Sequence, residues 1–178
     1  MQVLDQFEYE DHNKEEWAAF IVDQSNYYLQ AWTRIKNGNF LIFNPYAFFF
    51  NIFWLLYRQM FKTLVLYLSF FFAEGYIEKV VLSSLNIHSM PSHWIYIRIF
   101  VFTLALGFLG NWFYLLHAEE IIKNIKKQYT QDQHLRLFEL RGGTSFIPVL
   151  LFTVVVIMII LVNQIHAGEM LNPNYIIR

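Results

Sequence analysis

The chain has 178 residues, enough for one domain, and its 13 basic and 14 acidic residues leave no basic excess to attract nucleic acid. It has no cysteine, which excludes disulfides, thiolate metal sites and cysteine nucleophiles. Only 15% of its residues are charged, against about 25% in an ordinary soluble domain. Hydrophobic residues make up 56% of the chain and lie in clusters, so the composition indicates a membrane protein.

The first 36 residues predict a cytoplasmic helix after a short acidic lead. Seven of the 14 acidic residues lie in the first 23 positions, so the start lacks the positive charge and apolar run of a cleavable signal peptide. Residues 13–36 predict an amphipathic helix with Asn13 as its N-cap and Glu16 completing a capping box. Asn37-Gly38-Asn39 predicts its end. Four aromatic side chains of this helix are expected to dock on the membrane, on the 117–128 segment or on a partner. They are Trp17, Phe20, Tyr28 and Trp32.

Residues 40–57 contain no charge and are rich in aromatic side chains, and two interpretations of them compete. In the preferred one, 46–57 is an aromatic helix in the membrane interface that docks through Trp54 and Arg58, and both Arg58 and Lys62 reach the headgroups. The first span then covers about residues 58–80. In the other, one span begins near residue 46 and buries Arg58 in mid-membrane, at a cost of about 2.5–3.5 kcal/mol.

Two later stretches predict further spans, since about 20 residues cross a bilayer as a helix. The second span covers 95–116, and its helix is expected to continue to about residue 128. The third covers 146–166, and no charged residue lies between Arg141 and Glu169. Five Lys and Arg residues lie in 117–145 and none in 81–97, so the positive-inside rule places the N-terminus and the 117–145 loop in the cytoplasm.

These features predict an all-α integral membrane protein with three transmembrane helices, an N-terminal amphipathic cytoplasmic helix and an aromatic interfacial helix. The expected organisation is a cytoplasmic region at 1–45, a membrane domain at 46–166 and an external tail at 167–178.

The second span carries the residues predicted to pack helices together or to assemble subunits. Small side chains let helices approach closely, and a buried amide seeks a hydrogen-bond partner. These residues are Thr103, Gly107, Gly110 and Asn111. Packing within one chain is the alternative to assembly between chains.

Two pairs of polar residues are possible sites. Glu74 and Glu78 lie four apart at the outer part of the first span, where a carboxylate either relays protons or is solvated at the membrane boundary. His117 and Glu120 share a helix face, but one histidine and one carboxylate are too few for a metal, so Glu119 is expected to pair with Lys123 and the others to be interfacial. No catalytic, cofactor or metal site is predicted.

Three segments resemble a bacterial family of small membrane proteins, the domain of unknown function family 2628. They are IVDQSNYYLQAW (21–32), FNPYAFFFNIFWLLYRQMF (43–61) and GNWFYLLHAEEIIKNI (110–125), and the resemblance covers about residues 20–127. Asn51-Ile52 stands where Gly-Pro is expected in the family, so the resemblance leaves open whether the backbone breaks there. The resemblance implies residence in the bacterial inner membrane and supplies no activity.

Two classes of function remain open. The first is a non-catalytic subunit, adaptor or scaffold of a membrane-associated complex. The second is an oligomeric small transporter or channel component with Glu74 and Arg98 near its outer mouth. Polar residues are sparse in the second and third spans, which favours the first class. The expected partners are the lipid bilayer and either further copies of the chain or other membrane or cytoplasmic subunits, with no cofactor and no nucleic acid.

Overall fold

A computed structural model describes residues 14–22, 25–87, 91 and 93–170, with side chains as far as residue 166. Within these ranges every regular element is an α-helix, which confirms the all-α class. In chain order the helices are α1 (residues 14–21), α2 (Ser25–Lys36), α3 (Pro45–Phe50), α4 (Ile52–Tyr57), α5 (Phe61–Ser84), α6 (Trp94–Gln128), α7 (Gln131–Gly142) and α8 (Ile147–Met170).

Helix α6 is the axis on which the other helices are arranged. It has 35 residues and is about 52 Å long at 1.5 Å per residue. This confirms the prediction that the helix of the second span continues to residue 128. Helices α2, α3 and α7 pack against it, whereas α8 packs against α4. The buried face of α6 follows helical spacing and comprises Leu106, Gly107, Gly110, Asn111, Tyr114, Leu115, Ala118, Ile122 and Ile125.

The single helix predicted over 13–36 is wrong, because the chain breaks at Val22. This residue has φ 57°, a left-handed value that a β-branched side chain rarely adopts. The break lets α1 fold back beside α2, so that Trp17 meets Trp32 edge to face with ring centroids 4.9 Å apart. Glu16 pairs with Lys126 on α6 rather than completing a capping box, and Asn13 lies outside the described residues.

The interfacial helix predicted over 46–57 is two short helices that form a hairpin. Asn44 is hydrogen-bonded to Asn111, Asn51 to Thr103, and Arg58 to Tyr114. The chain therefore runs towards the N-terminal end of α6 as far as Asn51 and then returns. We call residues 44–58 the α3–α4 hairpin.

Both turns of this region involve positive φ angles. Asn51 has φ 45° and ψ −117°, a conformation that glycine adopts most easily. The break therefore occurs although the chain departs here from the expected Gly-Pro. A second turn follows at Arg58–Met60, where Gln59 has φ 57°. One continuous span starting near residue 46 is thus wrong as well.

Within the described residues, two helices rather than three are long and apolar enough to cross a membrane. They are α6 and the stretch Gln131–His166, which includes most of α8. Helix α5 covers most of the predicted first span, but its 24 residues include Lys62, Glu74, Glu78 and Lys79. The predicted 117–145 loop is also largely helical, because α6 extends to Gln128 and α7 follows at Gln131.

A methyl group added at Gly110 is expected to disturb the contact between α3 and α6 more than one added at Gly107. The new Cβ at Gly110 would lie 2.8 Å from the Cβ of Ala47, which the α3 backbone holds in place. At Gly107 the nearest atom, at 2.9 Å, is on the ring edge of Phe43, which can rotate. Gly110→Ala should therefore lower the thermal unfolding midpoint in detergent, with overpacking costing about 1–3 kcal/mol.

The matched control is Ala105→Leu, which adds bulk to an exposed position of the same helix and should leave the midpoint near that of the parent protein. If Gly110→Ala unfolds at the same temperature as the parent, the tight contact is refuted.

Candidate functional site

The side chain of Arg58 is buried at the centre of the protein rather than reaching towards lipid headgroups. It is 3% exposed, and its Nη1 donates hydrogen bonds to the carbonyl oxygen of Ile21 and the hydroxyl of Tyr114, each at 3.3 Å. Its guanidinium carbon lies 4.7 Å from the ring centre of Tyr28 and 5.0 Å from that of Tyr114. Aromatic faces attract such a cation, most strongly when both are desolvated.

Tyr114 is the hub of the aromatic rings around Arg58. Its ring centroid lies 4.9 Å from that of Tyr28, 5.5 Å from that of Trp32 and 6.2 Å from that of Trp54. Trp54 Nε1 also donates to the hydroxyl of Tyr28 at 3.3 Å. The sequence predicts Tyr28, Trp32 and Trp54 as docking residues but gives Tyr114 no role. Its spacing from Gly107 and Gly110 along one helical face was a usable signal.

Asn44 and Asn111 join the start of the hairpin to α6. Asn44 Nδ2 donates to Asn111 Oδ1 at 2.9 Å, and its own Oδ1 accepts from the N–H of Ala47 at 3.0 Å, which caps α3. Asn111 Nδ2 donates to the carbonyl oxygen of Ile42 and to the hydroxyl of Tyr27. Both asparagines are fully buried, so these hydrogen bonds satisfy polar groups that have no access to solvent.

Burial raises the pKa of the Tyr27 hydroxyl, and its hydrogen bond with Asn111 opposes that rise. The hydroxyl therefore stays protonated and donates a hydrogen bond to the carbonyl oxygen of Phe43 at 3.1 Å. The segment that leads into α3 is thus held by side chains from α2 and α6 together.

The tip of the hairpin is a second polar cluster. Asn51 Nδ2 donates to the hydroxyl of Tyr67 at 3.0 Å and to the hydroxyl of Thr103 at 2.9 Å. An amide nitrogen has two hydrogens, so both are used. The tip is therefore tied to α5 and α6 at once.

The four residues predicted for helix packing or assembly all contact the hairpin of their own chain. Thr103 and Asn111 accept its hydrogen bonds, and Gly107 and Gly110 leave room for Phe48 and Ala47. Their helix-packing role is therefore fulfilled within the chain. Assembly with other chains stays a prediction, and it must use other surfaces.

Glu74, Glu78 and Arg98 form an ionic cluster between α5 and the start of α6. Arg98 Nε lies 3.6 Å from Glu74 Oε2, and Arg98 Nη1 lies 3.0 Å from Glu78 Oε2. The guanidinium packs over the ring of Phe71, and Gly75 leaves room for it. Arg98, rather than the neighbouring Lys79, is thus the cation in contact with both carboxylates.

His117 and Glu120 belong to the opposite end of the α5–α6 pair. Glu120 pairs with Lys62, and Glu119 pairs at 3.2 Å with Lys36 on α2 rather than with Lys123 as expected. The His117 ring lies beside that of Phe20, with centroids 6.4 Å apart. Among the residues that the structure describes, no group of three or more His, Asp or Glu side chains is placed to hold a metal ion.

A largely apolar cavity of about 430 Å³ lies between α4 and the start of α8. Tyr46, Phe50, Phe53, Tyr57 and Phe146 form much of its wall, and Arg58 lines it from the protein core. Cavities of this size and character accommodate apolar groups of small molecules or lipids. Trp54 and Arg58, which the sequence predicts as docking residues, both line this cavity.

Arg58→Leu is expected to loosen α1 from α6 and to destabilise the protein. The substitution leaves the carbonyl oxygen of Ile21 and the hydroxyl of Tyr114 without this donor, and a charged hydrogen bond contributes about 1.5–3 kcal/mol. Arg58→Lys should restore little, because an ammonium group lacks the planar fork of a guanidinium. Thermal unfolding and the rate of proteolysis within residues 14–36 measure the effect. Arg34→Leu, at an exposed position of α2, is the control, and equal stability of all three variants would refute the role of Arg58.

The comparisons with known proteins agree with the sequence resemblance. A family model described as "Protein of unknown function (DUF2628)" matches residues 5–119, which include α1 to α5 and most of α6. No curated protein and no solved structure matches the chain. The match covers more than half of the chain and contains the buried arginine, the hairpin and the glycine face of α6, so the protein belongs to the DUF2628 family of proteins of unknown function.

Proposed function

We propose that this protein is a multi-pass protein of the bacterial inner membrane that acts as a non-catalytic subunit, adaptor or scaffold of a membrane-associated complex. Membrane insertion is supported first by α8. The apolar window of the stretch Gln131–His166 has a mean hydropathy of 3.0, and 0% of it is buried within the protein. So large an apolar surface is costly in water but suits lipid.

A third span is supported by the way α5 lies along α6. Lys62 meets Glu120 at one end of the pair, and Arg98 meets Glu74 and Glu78 at the other. From Arg98 to Glu120 the axis of α6 rises by about 33 Å, close to the roughly 30 Å of a hydrocarbon core. Pairing with Arg98 reduces the cost of placing two carboxylates at the edge of the membrane. Helices α5, α6 and α8 would then span, with the N-terminus in the cytoplasm and the C-terminus outside.

The scaffold role is carried by one observation: polar and charged side chains fasten α1 and α2 to α6. Arg58 joins α1 to α6, Glu16 joins α1 to α6 through Lys126, and Lys36 joins α2 to α6 through Glu119. Together with α7, which also packs on α6, they form a layer on the C-terminal half of α6, which we call the helical layer. In the proposed topology this layer is a fixed cytoplasmic surface of the kind a partner docks on.

The helical layer contains a cleft that suits such a partner. It is lined by Lys14, Trp17, Leu29, Gln30, Thr33 and Arg34. Trp17 is held there by Trp32 and by the ammonium of Lys36, which lies 3.9 Å from its ring centre. An aromatic ring between basic side chains favours an acidic or aromatic segment of another protein. By contrast, Arg98 pairs with both Glu74 and Glu78, and these contacts disfavour an ion path along the three side chains.

The topology is tested by single cysteines at Ser84 and Gln131 with a membrane-impermeant thiol reagent. Both positions are exposed, and the natural chain has no cysteine to compete. Ser84→Cys should react in intact cells, because it is the last residue of α5, at the outer end of that helix. Gln131→Cys should react only after the membrane is opened. Reaction at Gln131 in intact cells would contradict the orientation.

The scaffold role predicts a partner whose binding depends on the cleft. Arg34→Glu reverses a charge in the cleft and should remove proteins that co-purify with the parent in mild detergent. Arg136→Glu, an equivalent change at an exposed position of α7, should retain them. Light scattering gives the size of each species. If the parent protein is a monodisperse monomer and no protein co-purifies with it, the proposal is refuted.

A further inference from the structure

We propose that the α3–α4 hairpin is a re-entrant loop, which enters the bilayer from the cytoplasmic face, turns at Asn51 beyond the midplane and returns, with its exposed aromatic face in contact with lipid acyl chains. This rests on the proposed membrane topology and deepens it. The hairpin is therefore neither an interfacial helix nor a span.

The depth of the hairpin follows from its contacts with α6. Its exit is fixed where Arg58 meets Tyr114, and its tip is fixed where Asn51 meets Thr103 at 2.9 Å. In the proposed span from Arg98 to Glu120, the axis of α6 rises by about 25 Å between Glu120, at the cytoplasmic end, and Thr103, and half of a hydrocarbon core is about 15 Å. The tip of the hairpin therefore lies beyond the middle of the bilayer.

The distribution of charge agrees with this depth. Residues 37–57 contain no Asp, Glu, Lys or Arg, and Lys36 and Arg58 stand at their two ends. Lys36 pairs with Glu119, beyond the cytoplasmic end of the apolar part of α6. Both ends of the uncharged stretch are therefore held by cations at the same end of α6, as a loop that enters and leaves through one face requires.

The backbone of the entering segment is satisfied by protein groups. The N–H of Asn44 donates to the carbonyl oxygen of Gly107 at 2.7 Å. The carbonyl oxygens of Ile42 and Phe43 accept from Asn111 and Tyr27, at 3.1 Å each. Non-helical backbone is tolerated at membrane depth only when protein or a water-filled cavity satisfies it. In water, solvent would satisfy these backbone N–H and C=O groups, and they would need no protein partners.

The outer face of the hairpin consists of aromatic side chains. Phe49 is 75% exposed and Phe50 57% exposed, and both lie near the tip. Placed in water, such a patch would be a liability, whereas acyl chains cover it at no cost. The contact between Asn51 and Thr103 sets this patch deeper than the headgroup level at which interfacial aromatic residues normally lie.

The test measures depth with a fluorophore attached to single cysteines in proteoliposomes. Phe40→Cys samples the entry of the hairpin and Phe49→Cys samples its tip, and both positions are exposed. Ile157→Cys, about 15 Å along α8, is the reference for the midplane, and Leu135→Cys on α7 is the reference outside the membrane. Phosphatidylcholine brominated either near the glycerol or deep in the acyl chain serves as the quencher.

The expected result is that Phe49→Cys is quenched several-fold more by the deep bromines than by the shallow ones, as Ile157→Cys is. Phe40→Cys should show the reverse preference, and Leu135→Cys should show no quenching. Deep quenching of Ile157→Cys with shallow quenching of Phe49→Cys would place the hairpin in the interface and overturn the proposal. If neither lipid quenches Phe49→Cys, protein covers the face, which also overturns it. Absence of quenching at Ile157→Cys would refute membrane insertion itself.

Discussion

The contact between the entering segment of the hairpin and the backbone of α6 is the constraint on which the rest of the structure depends. The N–H of Asn44 reaches the carbonyl oxygen of Gly107, a helix backbone group that side chains at this position would cover. Gly107 and Gly110 leave the surface of α6 bare, and Asn111 supplies the amide that Asn44 needs. If this approach were lost, α3 would move off the helix, and the tip of the hairpin and the position of Arg58 would move with it.

Arg58 shows why the hairpin and the helical layer act as one unit. A buried guanidinium is costly unless its surroundings replace the water it has lost. The carbonyl oxygen of Ile21, the hydroxyl of Tyr114 and the ring of Tyr28 do so, and they come from three different helices or helix ends. The cation therefore favours the arrangement in which these elements converge. Removing the cation would deprive these groups of their contact with it, so the contacts that specify this arrangement also stabilise it.

The charged residues divide the molecule into two ends with different roles. At the start of α6, Arg98 pairs with both Glu74 and Glu78, so that α5 and α6 can lie side by side. At the other end, Lys36 and Lys62 reach the consecutive residues Glu119 and Glu120 from α2 and α5. The mainly apolar part of α6 lies between these two ionic belts. The two belts therefore set the length of the apolar part of α6 and distinguish its two ends.

The sequence by itself determined the helical class, the existence and extent of α6, the apolar character of α8 and the family. These depend on local spacing, apolar runs and motifs, which are read within about 20 residues. It also identified Thr103, Gly107, Gly110 and Asn111, because small and polar residues at helical spacing stand out in an apolar stretch.

Only the tertiary structure decided what these residues contact. The partners of Asn111 and Tyr114 in the hairpin lie 67 and 56 positions away in the chain, beyond the reach of any local pattern. The same holds for the break at Val22 and for the turn at Asn51, where positive φ angles are maintained by contacts with distant elements. An arginine between apolar segments looks identical in sequence whether it meets lipid headgroups or tyrosine rings. In this fold Arg58 contacts the tyrosine rings, because the hairpin turns its side chain inwards against Tyr114.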